Sequence, residues 1–322
     1  MPVDRRSPRS VWVTVPLGLT GGLGVALAAV TLGALLADWW WPLDLLTSFH
    51  PQYAVGLTLL GLLHLLVRSR ALAALFLGTA LVNASLVAPF VVGPGPAAGD
   101  GPHLSVLSFN VGVSNPMRRE VAGFAAAERP DVLVVIESSF EWEDALAAAG
   151  PSMALVAIVP PGRVSGITLM AGSDLLARPL PVPFADPGEA VAAEVTLDGR
   201  RVVVLALHPP SPTSRKRAAR RDAVLAGAAE WVAAAGRPVL VVGDLNSTPW
   251  SPAYQQLWLA GGLVDSARGA GLQPTWPDGW GPLMIPIDHA LHTPDLGTVE
   301  RRTGPSFGSA HRPLLVKVAF TG

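Results

Sequence analysis

Three long apolar runs fill the first third of the chain, at residues 11–37, 49–67 and 71–92, and none contains Asp, Glu, Lys or Arg. A helix needs ~20 residues to cross ~30 Å of hydrocarbon. None of the runs carries the polar face of an amphipathic surface helix. Residues 1–93 hold only eight charged side chains. The pattern predicts a membrane anchor over 1–93 with three transmembrane helices. A cleavable signal peptide would be shorter and end at a small-residue site. Here Asp38 and Trp39, Trp40 and Trp41 follow the first run, the composition of an interfacial aromatic belt. His64, inside the second run, reads as a packed or interfacial histidine.

Arginines set the expected orientation. Arg5, Arg6 and Arg9 precede the first run, the loop from Asp38 to Gln52 has neither Lys nor Arg, and Arg68 and Arg70 lie between the second and third runs. The positive-inside rule places the amino terminus in the cytoplasm. Three crossings of the cytoplasmic (inner) membrane then put everything after Val92 outside, giving a multi-pass protein with an extracytoplasmic domain. Residues 94–102 are too rich in Gly and Pro to continue a helix and read as a linker. Residues 103–322 form the second domain.

Composition removes several functions. The chain has no cysteine, so it has no disulfide, thiolate nucleophile or Cys-type zinc site. Its net charge of −1 gives no general electrostatic capture of nucleic acid. Arg215, Lys216, Arg217, Arg220 and Arg221 form a local basic cluster, read first as a solvated helix face and second as a contact for phosphate or anionic lipid.

The second domain alternates short apolar strands with polar residues at their ends. Leu104–Phe109 ends in Asn110, Asp131–Ile136 in Glu137, Arg201–Leu207 in His208, and Val239–Val242 runs through Gly243 to Asp244 and Asn246. Ligand sites in layered α/β folds form at carboxyl ends of strands. A carboxylate after an uninterrupted apolar strand needs a partner, for which a metal ion or an arginine would serve. Helices are expected over 117–128 and 214–235, strands over 153–159 and 166–170, and a hairpin turning over Asp198-Gly199. Further strands are expected over 285–291, containing Asp288 and His289, and over 314–320, preceded by His311.

These motifs, in this order, resemble the endonuclease/exonuclease/phosphatase superfamily: Leu-Ser-Phe-Asn-Val at Asn110, Val-Leu-Val-Val-Ile-Glu at Glu137, Ala-Leu-His-Pro at His208, Gly-Asp-Leu-Asn-Ser-Thr-Pro at Asp244 and Asn246, Ile-Asp-His at Asp288 and Ser-Ala-His-Arg-Pro at His311. The resemblance implies an α/β four-layer sandwich, two packed β-sheets flanked by helices (DNase I-like). The anchored arrangement is similar to that of the VanJ-type membrane proteins, which act on undecaprenyl pyrophosphate.

The resemblance also implies roles. Glu137 would bind a divalent cation, Mg²⁺ or Mn²⁺, with Asn110 as a ligand or close neighbour. Asp244 would orient or deprotonate the attacking water, and Asn246 would donate to a phosphate oxygen. His311 would contact the phosphoryl group or act as a base, held by Asp288, and His208 would donate to phosphate or assist the leaving group. One position departs from the family pattern: Ser-Asp-His before the last strand is here Ser309-Ala310-His311. Ala310 can neither bind metal nor position a histidine, so the alternatives are weaker metal binding, a single ion, another carboxylate such as Asp288 borrowed in its place, or an inactive site.

The expected function is a metal-dependent phosphoesterase on the outer face of the membrane. Its partners would be the lipid bilayer and a phosphate or pyrophosphate ester, with lipid-linked undecaprenyl pyrophosphate as the specific candidate. The alternatives are an anchored nuclease acting on DNA or RNA and a non-catalytic module that binds a phosphorylated ligand. Nothing points to a protein partner.

Overall fold

The computed structural model describes residues 8–93, 101–149, 153–159 and 165–321. The expected linker at 94–102 falls almost wholly outside them, as do Arg5 and Arg6. The chain divides into two compact units, residues 1–88 and 89–322.

The first unit is helical: α1 (Pro8–Ala34), α2 (Trp41–Thr47), α3 (His50–Leu66) and α4 (Arg70–Val91). Among the described residues, two stretches are long and apolar enough to cross a membrane, Leu17–Ala34 with a mean hydropathy of 1.7 and Arg70–Val91 with 2.0. The expectation of three such helices is corrected to two. The run at 49–67 folds as a helix of 17 residues, because Phe49 stays outside it and the first turn is spent on His50, Pro51 and Gln52. Helices α1 and α4 approach closely at Gly24, where a Cβ would lie 2.2 Å from the Phe76 ring. Small residues at such crossings let helices pack tightly. Leu57, Phe76, Ala28, Ala80 and Tyr53 fill the centre. Near one end, Asn83 donates to Thr31 Oγ1 at 3.0 Å and its Oδ1 lies 2.6 Å from His50 Nδ1. His64 is buried with its ring edge on Phe76 and Nε2 3.3 Å from Thr20 Oγ1.

The second unit has twelve strands among the described residues: β1 (His103–Asn110), β2 (Val132–Ser138), β3 (Met153–Val159), β4 (Gly166–Gly172), β5 (Leu176–Leu180), β6 (Ala190–Leu197), β7 (Arg200–Leu207), β8 (Val239–Asp244), β9 (Val264–Asp265), β10 (Asp288–His292), β11 (Leu296–Thr303) and β12 (Leu314–Phe320). Its helices are α5 (Arg118–Glu128), α6 (Phe140–Ala149), α7 (Arg215–Ala233) and α8 (Pro252–Ala260). One sheet runs β11-β12-β1-β2-β4-β3, the other β5-β6-β7-β8-β10-β9. Only the pairs β1–β2 and β7–β8 are parallel, so both sheets are mixed.

The period-2 geometry of strands divides the apolar residues between two layers. Val106, Val132, Val134 and Ile136 of one sheet meet Val202, Val204, Leu240 and Val242 of the other. The alternate residues Leu107, Phe109, Leu133 and Val135 face outward onto Val121, Ala125, Trp142 and Leu146 of α5 and α6. Val203, Leu205, Val239 and Val241 likewise pack on Leu225, Ala229 and Val232 of α7 and on Leu257 of α8. The result is a helix–sheet–sheet–helix sandwich. The hairpin turns over Asp198-Gly199 as expected, both residues having positive φ.

Antiparallel placement of β10 and β12 gathers the polar residues at one end. Asp288 begins β10 and pairs in register with Asp244, which ends β8. Strand β12 runs antiparallel to β1, so the segment before it, with His311, lies near Asn110. The expected strand at 285–291 begins later, at Asp288. Before it, Ile285 pairs only with Trp276, and Pro286 offers no N–H to a ladder.

Candidate active site

The seven residues singled out from sequence stand together. Asn110 Nδ2 donates to Glu137 Oε1 at 3.2 Å and to Asp244 Oδ2 at 3.0 Å. His208 Nε2 lies 3.9 Å from Glu137 and 3.7 Å from Asp244. His311 Nδ1 bonds Asp288 Oδ2 at 2.9 Å, while its Nε2 is 3.6 Å from Asp244 Oδ2. Asn246 donates through Nδ2 to Pro209 O at 3.0 Å, tying the loops after β7 and β8 together, and its own N–H donates to Asp244 Oδ1.

Backbone geometry explains how these groups are aimed. Glu137 has φ +57° at an irregularity between Ile136 and Ser138, where the pairing with β4 shifts. A bulge re-aims a side chain, and here it gives a carboxylate at the end of a buried strand one third of its surface to solvent. Asn246 is also left-handed, φ +48°. Gly243 has φ +134°, and a Cβ there would fall 2.1 Å from Leu207 O. Only glycine lets β7 and β8 approach closely enough to present His208 beside Asp244.

Electrostatics separates the two buried aspartates. Burial pushes the Asp244 carboxyl above its ordinary range and Asp288 adds to that, while His311 and His208 pull the other way. Burial also opposes ionisation of Asp288, but the His311 charge, its hydrogen bond and Thr275 hold that carboxyl below its ordinary value. At His311, burial favours the neutral ring and is overcome by Asp288 and Asp244, which raise its pKa to about 9. In the metal-free site that favours the imidazolium, which can donate to an anionic oxygen.

Glu137 and Asp244 supply hard oxygen donors around one amide, a set suited to a divalent cation such as Mg²⁺. Asp244, Asp288 and His311 also lie close enough to share an ion. On that side Asp288 Oδ2 is engaged by His311 Nδ1 at 2.9 Å. Ala310 itself is exposed, and its carbonyl accepts from Asp278 N–H at 2.7 Å.

Three supporting residues were not assigned from sequence. Ser309 Oγ donates to Asn110 O at 2.7 Å and accepts from His311 N–H at 3.0 Å, binding β1 to the His311 turn. Thr275, fully buried, accepts from Asp288 N–H at 3.2 Å. The His289 ring packs tilted against Tyr254, with centroids 4.6 Å apart, and its Nε2 lies 2.8 Å from Ser247 O. Burial drives its pKa down to about 4, so it is neutral and Nε2–H donates, bracing the Asn246 loop. The signal for Ser309 and Thr275 was their place beside assigned residues; His289 gave none beyond following Asp288. The basic cluster is partly spent on structure: Arg220 pairs with Asp186 and Glu189, and buried Arg221 with Asp222.

A model of the Endonuclease/Exonuclease/phosphatase family matches residues 107–311. Among solved structures, a humanized D. rerio TDP2 aligns with TM-score 0.55 at 16% identity, covering 67% of this chain and 98% of that one. An endonuclease/exonuclease/phosphatase family protein from Bacteroides thetaiotaomicron aligns with TM-score 0.55 at 17% identity, covering 69% and 99%. A mannosyl-6-phosphatase from the same organism aligns with TM-score 0.52 at 16% identity, covering 67% and 100%. At such identities the structures establish the shared sandwich. No curated protein matches the chain. Enzymes of this family generally depend on a divalent metal, in keeping with the acidic and histidine cluster. Fold, motif order and family match agree: this chain belongs to the Endonuclease/Exonuclease/phosphatase family and is a phosphoester hydrolase.

Proposed function

We propose that the protein is a membrane-anchored, metal-dependent phosphoesterase. It would act outside the cytoplasmic membrane on a lipid-linked phosphate or pyrophosphate ester, for which undecaprenyl pyrophosphate is the specific candidate. The observation that carries the chemistry is the placement of His311, buried with Nδ1 2.9 Å from Asp288 and Nε2 3.6 Å from Asp244. Asp244, its carboxyl raised by burial, is placed to orient and deprotonate water. His311, His208 and the second amide hydrogen of Asn246 would donate to phosphoryl and leaving-group oxygens. Bound at Glu137 and Asp244 with Asn110, Mg²⁺ or Mn²⁺ would neutralise charge on the phosphoryl group.

The membrane-length stretches of α1 and α4 support the anchor. Helix α3 packs beside both of them within the first unit. Tethering raises the concentration of the site near membrane substrates.

The test is phosphate release by the purified full chain in detergent, with Mg²⁺ or with chelator, on undecaprenyl pyrophosphate and on plasmid DNA in parallel. Metal-dependent release from the lipid alone is expected. Nicked plasmid alone would make the protein a nuclease. Ligand binding without turnover on either, in saturating metal, would make it a binding module.

A further inference from the structure

Three exposed large apolar side chains fall within eight residues beside the site: Trp276 at 37%, Trp280 at 63% and Leu283 at 50% exposure. Such residues scattered singly over a surface need no explanation, but clustered ones mark an interaction. Between Gln273 and Ile287 the only charged residue is Asp278, and its side chain is turned inward onto Arg312. The segment is firmly held. Trp276 and Ile285 exchange backbone hydrogen bonds, Asp278 N–H donates to Ala310 O, and Arg312 Nε donates to Asp278 Oδ1 at 2.7 Å. Arg312 N–H donates to Thr275 O. The apolar tip is thus built onto the same backbone that carries His311 and seats Asp288.

We propose that residues 276–283 form an interfacial finger that dips into the lipid headgroup region and delivers the site to substrates lying in the membrane. This rests on the membrane-anchored reading above. Tryptophan prefers the interface, where its ring is shielded and its N–H stays hydrated. The Arg312–Asp278 pair leaves the tip without an unpaired acidic side chain to oppose that contact. A bilayer is the occupant this chain itself supplies, since it carries two membrane-length stretches.

The absence of cysteine makes the test direct. Trp280→Cys and, separately, Leu283→Cys are labelled with an environment-sensitive fluorophore in the full chain. Each is reconstituted into phosphatidylcholine–phosphatidylglycerol vesicles carrying a nitroxide at headgroup depth. Asp198→Cys, in the exposed turn at the opposite end of β7, is the reference. Labels at 280 and 283 are expected to be quenched several-fold more than the label at 198. Equal quenching at all three positions, in protein that floats with the vesicles, overturns the finger and leaves the anchor standing. Protein that does not float with the vesicles overturns both. Phosphate release is scored separately, so a failure of the phosphoesterase reading does not alter the quenching result.

Discussion

Asp288 and Asp244 are cross-strand neighbours, paired in register between β10 and β8, yet their carboxyls are driven in opposite directions. The difference lies in His311. It hydrogen-bonds Asp288 at 2.9 Å through Nδ1 and only approaches Asp244, at 3.6 Å, through Nε2. One aspartate is fixed as the partner of an imidazolium. The other keeps a higher proton affinity and faces the space where water and phosphate would meet.

Asp288→Asn should therefore remove the charge that keeps His311 protonated. The His311 pKa should fall from about 9 toward its ordinary 6.5. Turnover should drop by about two to four orders of magnitude, the usual worth of a positioned acid or base. Titration of the His311 resonance by NMR, alongside rate measurements, checks both.

Metal-free stability should fall on the alkaline side. A histidine raised to about 9 stabilises the fold fully below its ordinary 6.5, and that contribution is lost as pH rises through about 9. Melting curves of the wild type and of His311→Gln should differ most near pH 6.5 and converge above about pH 9.

Glu137→Ala should weaken Mg²⁺ binding measured by calorimetry and reduce phosphate release to the level seen with chelator. Asp244→Asn should also end turnover, and it should stabilise the metal-free fold. Because burial raises the Asp244 carboxyl, ionising it at neutral pH costs stability. The amide should raise the melting temperature.

Ala310→Asp should add a carboxylate at an exposed position next to His311 and strengthen divalent binding, since affinity rises with ligand charge. Unchanged Mg²⁺ affinity in calorimetry would show that position 310 lies out of reach of the ion.

Gly243→Ala should destabilise the domain by about 3 kcal/mol or more, combining an unfavourable φ with a steric clash on Leu207 O. Denaturant unfolding measures it.

The strands that carry the site were legible because each is an apolar run closed by a polar residue. Strand β12 spans 314–320 as read, and β1, β2 and β8 extend one or two residues past their apolar runs to include the polar ones. Edge elements were not legible. Strand β5 contains Pro179, and β11 reads Leu-Gly-Thr-Val-Glu-Arg-Arg-Thr; an edge strand needs no continuous apolar face. Helix α6 was missed because its acidic first turn hides Trp142 and Leu146, which bury against β2. Among the site residues, side-chain types and order were readable. The division of labour between Asp244 and Asp288 was not, because it depends on distances to one histidine ring.

Strand β12 lies between β1 and β11, inside its sheet. During synthesis, β1 is made first and must wait with one edge unpaired until the strand most distant from it in sequence emerges. The same docking brings His311 to Asp288 and closes Ser309 onto Asn110. Assembly of the catalytic groups and covering of that open edge are thus a single late event. A nascent domain stalled before it would be both inert and prone to pairing with other chains.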